Sequence, residues 1–592
     1  MIRIESQHDL SFPPETVWPV LRQTDWINRS LGLPPVKYNI NAQNEGGSIV
    51  TARTRMLGTE MRWREFPFEW LEPEYYHVHR EFETGPFTHV HMGMEFHPTP
   101  GGGTHIVAFA NIEPRNAFGR WAAKFILGPK SRRDMTRIAD HAEEYLKGRA
   151  KVILPRLSTK PVNNDTLQAG LKKLRAENND PVLLARLEEF LHGAPDIDLT
   201  HIRPFAIARK WDSDPWEVLR LFLHATHCGL LDFSWEILCP NCRTSREPGA
   251  TSLVNLRKTS HCDVCQIKFD GEFDKSVELK FAVNPSVRPR ETQTFCLAGP
   301  GGKPHIIQQL WLEPGEVRPW QLRAQKRFLR LRSPQVAEPL TLIPGETQSL
   351  ACAPEKFFSS PAGQDRTITN PNKFPVLLSV EQMDWSEDIL TAARVTNWQE
   401  FRDLFSAEVI SPSEQVTVGS QVVLFTDLRG STAMYHGLGD ASAYVLVRNH
   451  FVVLIEAIRS HHGTVVKTIG DAVMATFSRV DEALAAIQQM FRELPTANPG
   501  LAAPLVLKSG LHVGSCLAVN ANDKLDYFGT TINLAARLVE CSKGGDLTVS
   551  ESLYQHPDTA AFLKKYPAPE PAEVTYRGFV TAQRVWRIKM VD

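Results

Sequence analysis

Apolar and polar positions change their spacing several times along the chain, and each change marks an element. The apolar run Gln421 to Phe425 reads as a buried strand that brings Asp427 to its carboxyl end. Asp440 to Ser460 repeats apolar residues at helical spacing. Thr464 to Thr468 and Ala472 to Phe477 then read as a hairpin with Asp471 near its tip. A helix from Asp481 to Leu494 and a strand from Leu505 to Gly514 complete a ferredoxin-like βαββαβ plan with additions.

Upstream the rhythm differs. A short strand (Arg3 to Leu10), a helix near Pro14 to Arg22, strands through Glu95 and Phe109 and a Gly101-Gly102-Gly103 turn lead to a long helix. Met135, Ile138, Ala139, Ala142 and Leu146 share one face of it. Two helical patterns, Pro204 to Trp211 and Trp216 to Leu223, flank Asp212-Ser213-Asp214-Pro215; they read as a small packing module, with a helix-turn-helix as the competing form. From Asp270 to Phe374, short alternating segments broken by Pro and Gly predict a β-sandwich or barrel-like region. Asp384 to Glu408 turns helical, with Phe401, Leu404 and Phe405 on one side, before Ser411-Pro412-Ser413 breaks it.

At 592 residues the chain is too long for one core. The patterns predict a multidomain α+β protein with an α+β domain at 1–150, a helical linker and module at 151–235, a cysteine-bearing ribbon at 236–270, a β-rich domain at 271–375, a helical transmitter at 376–412 and a catalytic domain at 413–592. A formal net charge of -1 gives no global reason to expect nucleic acid or an anionic membrane. The first residues lack a signal-peptide pattern and no apolar run approaches the roughly 18 residues of a span, so a cytoplasmic location without a membrane span is expected. Nine cysteines, an odd number, argue for a reducing compartment.

Four of those cysteines, Cys239, Cys242, Cys262 and Cys265, form two CxxC knuckles with nineteen residues between them. Four thiolates close a tetrahedral site, so a zinc ribbon with structural Zn²⁺ is expected.

Asp427 and Asp471 each end a strand at what would be one cleft, where two carboxylates and substrate phosphates could share metal ions. A third motif, Leu525-Asp526-Tyr527-Phe528-Gly529 through Arg537, places Asn533 and Arg537 one helical turn apart on one face. Residues from about Ser413 to Arg587 thereby resemble the catalytic domain of class III adenylyl/guanylyl cyclases. The resemblance implies that Asp427, Asp471 and the backbone carbonyl of Leu428 hold two Mg²⁺ or Mn²⁺ ions per site. It further implies that Lys467 and Asp526 select adenine, and that Asn533 and Arg537 serve the transition state. The family usually has a Lys near the C-terminal strand that contacts the triphosphate. Arg577 stands there in this chain, with a different geometry.

Adenine offers a ring-nitrogen acceptor beside an amino donor, which a Lys donor and an Asp acceptor match; guanine reverses those polarities. ATP is thus the expected substrate, cyclic AMP and pyrophosphate the products, and a head-to-tail homodimer with shared sites the implied assembly. Residues 1–150 resemble a helix-grip domain of the START or polyketide-cyclase-like superfamily, which implies a sensor for a small hydrophobic ligand or a protein-interaction module. The ribbon, β region and transmitter resemble a module placed ahead of class III cyclases in bacterial chains. The competing reading is a non-enzymatic signalling or nucleic-acid-binding protein that uses a cyclase-like dimerisation domain.

Overall fold

The computed structural model describes residues 1–42, 48–56, 58–150, 160–177, 179–240, 242–245, 249–256, 259–262, 267–270, 276–290, 293–320, 329–333, 335, 340–342, 351–352, 357–359, 366–382, 388–405, 408, 416–496, 505–521, 524–576 and 581–590. Its longest sheet has twelve strands drawn from two distant parts of the sequence. Ile2–Leu10 pairs with Thr104–Pro114, and the order continues through Phe87–Pro98, Tyr75–Phe82 and Glu69–Leu71. There it crosses to Ile306–Leu312, Val376–Gln382, Leu329–Arg332 and Leu340–Leu342. The junction is short, Gln308 facing Leu71 and Gln309 facing Trp70. It is reinforced where the Trp70 indole donates to the Ile306 carbonyl at 2.8 Å.

The long helix Gly128–Leu146 grips the inner face of the N-terminal strands. Met135, Ile138, Ala139 and Ala142 are buried there with Trp18, Trp70 and Tyr76, as the spacing predicts, while Leu146 packs at the margin. The N-terminal sheet does not end at residue 150, however. Glu69–Leu71 offers a strand edge, and the strand Ile306–Leu312 pairs with it through Gln308 and Gln309.

The expected limits at 235/236 and 270/271 fall inside one unit, because Leu231–Ile237 pairs along its whole length with Val277–Val283. Helices Asn164–Ala176, Pro181–Gly193, Pro204–Trp211 and Pro215–His227 pack with that pair in one core, so the cysteine knuckles are an excursion from it. Val218, Leu219, Phe222 and Leu223 are fully buried, which makes Pro215–His227 a packing helix.

The 271–375 region is likewise not one β-domain. Part joins the long sheet, and Val317–Trp320, Arg366–Thr369, Phe357–Ser359 and Ala351–Cys352 form a separate four-stranded sheet. The transmitter also begins later than 376. Val376–Gln382 is a central strand, consistent with its apolar start Val376-Leu377-Leu378 and with the burial of both its faces, and among the described residues helix appears only in Ala392–Thr396 and Gln399–Leu404.

The C-terminal sheet has eight strands in the order Thr464–Ile469, Ala472–Phe477, Val416–Leu428, Leu507–Ala521, Asp546–Ser550, Gln583–Lys589 and Glu570–Val574, with Lys524–Phe528 added against Leu507–Ala521. Alternation along Val416–Leu428 divides its residues between two cores. Val422, Leu424 and Leu428 pack under helices Asp440–Ser460 and Val480–Glu493. Val418, Val423 and Phe425 face the other way and share a core with Trp216, Trp398 and Phe401 of the upstream segments. Asp440–Ser460 is long and apolar enough to cross a membrane by length and composition. Ala443, Val447, Leu454, Ala457 and Ile458 are nonetheless buried along its inner face, and the last four pack into the core under the sheet.

Candidate active site

Asp427 lies one residue before the end of its strand, beside a backbone bond from Arg429 to the Val506 carbonyl at 2.9 Å. Gly430 then turns the chain with φ 74° into the helix Ser431–Leu438. At the hairpin tip Gly470 adopts φ 63°; nothing would obstruct a Cβ there, so the glycine serves the turn's left-handed conformation. These turns bring two carboxylates together. Partial burial, followed by the charge of Asp471, raises the Asp427 carboxyl above its usual range, with the Lys508 ammonium at 3.9 Å opposing both. The Asp471 Oδ2 is buried and accepts no hydrogen bond. Two repelling carboxylates and an orphaned oxygen make a donor set that a hard divalent cation fits. The Leu428 side chain is in the core, leaving only its main chain toward this end of the strand.

His450, on the buried face of Asp440–Ser460, lies close to Asp471. Burial pushes its pKa down to about 4 and keeps the ring neutral.

Lys467 and Asp526 come from separate hairpins and meet at 2.6 Å. A β-bulge between Val465 and Lys467 interrupts the register just before the lysine, the kind of irregularity that re-aims a side chain. The Asp526 carboxylate is also fixed by the Tyr527 amide, which donates to Oδ1 at 2.8 Å. Asp526 is 9% exposed, whereas the exposed Phe528 ring lies 6.0 Å from the lysine ammonium. A donor and an acceptor thus stand side by side, with the exposed Phe528 ring beside them.

Gly529 precedes the helix Thr530–Cys541, which buries Leu534, Ala535, Leu538 and Val539 and turns Asn533 and Arg537 outward. Arg537 pairs with Glu540 on the same helix. Arg577 lies outside the described residues, as does Cys265. The other three ribbon cysteines converge: the sulfurs of Cys239, Cys242 and Cys262 lie within 4.8 Å of one another and all three residues are buried. Cys242 and Cys262 are 3.7 Å apart.

Under the N-terminal helix a cavity of about 110 Å³ is lined by Ile27, Phe68, Tyr76, Val78, Met94 and Met135. It is smaller than the roughly 300 Å³ at which pockets for drug-sized ligands begin.

Lys508 and His450 escaped the sequence reading. Lys508 gains meaning only through its register with Asp427, while His450 sits at a position whose helical spacing predicts an apolar side chain.

Residues 411–578 match the family described as the adenylate and guanylate cyclase catalytic domain. Residues 1–146 match polyketide cyclase / dehydrase and lipid transport, and residues 164–294 match a family of unknown function (DUF5939). An uncharacterized protein of Mycobacterium tuberculosis (strain ATCC 25618 / H37Rv) is 31% identical over 179 residues, 30% of this chain and 43% of the relative. An adenylate cyclase of Podospora anserina is 25% identical over 199 residues, 30% of this chain and 9% of that protein. The chain thus spans less than half the length of these relatives. The crystal structure of the adenylyl cyclase CyaB from P. aeruginosa aligns at 23% identity and a TM-score of 0.26, covering 30% of this chain and 96% of that one. The chain carries a C-terminal adenylate/guanylate cyclase catalytic domain and an N-terminal polyketide-cyclase-like domain.

Proposed function

We propose that this protein is an adenylate cyclase that converts ATP to cyclic AMP and pyrophosphate. The observation that carries the reading is the Lys467–Asp526 pair at 2.6 Å, formed across two separated motifs within the cyclase domain. The Lys467 ammonium donates to the adenine ring nitrogen and the Asp526 carboxylate accepts from the amino group. GTP would leave both partially buried groups mismatched, the stronger form of discrimination.

Asp427, Asp471 and the Leu428 carbonyl would hold the divalent ions. Two ions of the Mg²⁺ or Mn²⁺ kind, when bound, supply charge neutralisation of the triphosphate and activation of the attacking hydroxyl. Asn533 orients the ribose as its 3′-hydroxyl attacks the α-phosphate, Arg537 stabilises charge on the phosphoryl oxygens, and Arg577 is assigned to the triphosphate. Leu438, Tyr444, Ile469 and Phe528, each about half exposed or more, offer apolar surface that a second copy would cover in a homodimer.

Cyclic-nucleotide formation by the purified full chain, assayed with ATP and GTP in parallel, tests the reading. Preferred conversion of ATP supports it. No product from either nucleotide would favour the non-enzymatic alternative, and preferred conversion of GTP would overturn the assignment of Lys467 and Asp526.

Cys239, Cys242, Cys262 and Cys265 form a structural zinc site in this reading, and the upstream domains regulate the cyclase from a cytoplasmic location. About one zinc ion per chain should co-purify, and Cys239→Ser should lower both zinc content and thermal stability. Folded protein without zinc by elemental analysis would remove the metal assignment.

A further inference from the structure

The segment between the upstream domains and the cyclase touches the catalytic domain where the purine pair is built. The Arg402 guanidinium donates to the Leu525 carbonyl at 3.3 Å, one residue before Asp526. The Tyr527 hydroxyl, one residue after Asp526, donates to the Asn397 Oδ1 at 3.2 Å. On the other strand the Val465 amide donates to Gln399 Oε1 at 3.0 Å, two residues before Lys467 and at the edge of the bulge. Three side chains from a stretch of six residues therefore fasten both strands that carry Lys467 and Asp526.

Asn397 is fully buried and uses its whole hydrogen-bonding capacity in the catalytic domain. Besides Tyr527, its carbonyl oxygen accepts from Thr476 Oγ1 at 2.7 Å. Its amide nitrogen donates to Gln421 Oε1 at 3.1 Å and to Ser478 Oγ at 3.4 Å.

The segment is itself anchored behind. Glu400 pairs with Arg220 at 2.9 Å and with His224 at 3.0 Å, and Trp398 packs at 5.2 Å from Trp216, whose indole stacks on His462 at 4.3 Å. A clamp held from outside the catalytic domain thus acts on two strands only a residue or two from the purine-reading groups.

We infer that Asn397, Gln399 and Arg402 are positioning residues that hold Lys467 and Asp526 at the spacing that reads adenine. The inference rests on the adenylate cyclase reading and deepens it. None of the three need touch nucleotide. Each fixes a backbone or side-chain neighbour, so its loss would act on purine binding ahead of the chemical step.

Gln399→Ala is the first variant, because Gln399 is partly exposed and the change is compatible with folding. Arg402→Ala and Arg402→Lys follow. In the full chain, KM for ATP should rise about fivefold in Gln399→Ala and Arg402→Ala, with kcat within about twofold and the constants for GTP nearly unchanged. Arg402→Lys should recover part of the loss. Equal losses of kcat with both nucleotides, or kinetics like those of the parent chain, would overturn the inference.

ATP binding by titration calorimetry separates the two levels. If the parent chain forms no cyclic nucleotide yet binds ATP, the adenylate cyclase reading fails. The clamp then stands if Gln399→Ala weakens ATP binding about fivefold and falls if it does not. A parent chain that binds no ATP removes both.

Discussion

In the proposed site, the metal half and the purine half are built by different means. Asp427, Asp471, Lys508 and His450 all belong to the catalytic domain, and their environment is made by its own strands and its helix Asp440–Ser460. Lys467 and Asp526 belong to the same domain, but their strands are fastened by Asn397, Gln399 and Arg402 from outside it. The division follows the two faces of the sheet: one is covered by the helices Asp440–Ser460 and Val480–Glu493, the other by the helix Thr530–Cys541 together with the upstream module. In the proposed reading, conformational change upstream reaches nucleotide recognition through direct contacts, while the proposed metal carboxylates keep a local scaffold.

The largest effect tests the metal half. Asp427→Ala or Asp471→Ala should lower turnover by at least about a hundredfold, the scale on which a charge-stabilising active-site group is lost. Neither side chain is a packing group, so thermal stability should change little. Turnover near the parent value would break the assignment. Co-expression of Asp427→Ala with Arg537→Ala chains should restore activity, since a mixed dimer with shared sites contains one with every residue intact. Mixed dimers without recovery would place both halves of a site in one chain.

Stability separates the halves next. Asn397→Ala would strand Thr476, Tyr527 and Gln421, all buried, without their shared partner. Each unsatisfied group costs roughly 1–3 kcal/mol, so denaturant unfolding should show a loss of about 3 kcal/mol. A loss below about 0.5 kcal/mol would show that the hub is dispensable and the clamp loose.

The contrast also explains what the sequence could convey. The catalytic strands, the hairpin and the Asn533–Arg537 face are local patterns, and the acids sit at turns marked by Gly430 and Gly470, so this half was legible from spacing. The twelve-stranded sheet was not, because the pairing of Gln308 with Leu71 joins residues more than two hundred positions apart without a shared motif. Val376–Gln382 falls within the segment expected to be helical, although its apolar start Val376-Leu377-Leu378 suits a central strand. The clamp was illegible for a related reason. Asn397, Gln399 and Arg402 are ordinary polar residues in a segment recognised as helical, and only tertiary contact gives them partners.

The smallest effect concerns pH and the anchor behind the clamp. His224 lies between Glu400 at 3.0 Å and Glu177 at 2.5 Å, and is 8% exposed. The hydrogen bond to Glu400 is the largest influence on the ring; with that to Glu177 it outweighs burial and raises the His224 pKa above its ordinary value of 6.5. Burial works against ionisation of Glu400, but its bonds to His224 and Arg220 prevail and lower its pKa. The raised histidine contributes stability that is fully present below its unfolded pKa and is lost as pH rises through its folded value. The lowered Glu400 contributes stability above its own unfolded pKa, lost only as pH falls through the folded one. The anchor is consequently strongest in mildly acidic solution and weakens as pH rises through the raised histidine value. Between pH 6 and pH 8.5 the parent chain should lose roughly 1 kcal/mol more than His224→Gln, the net worth of an ordinary charge-assisted contact. KM for ATP should rise over the same interval in the parent and stay flat in the variant, if the anchor serves the purine half. Parallel pH profiles in the two chains would leave His224 a packing residue and detach the clamp from the module behind it.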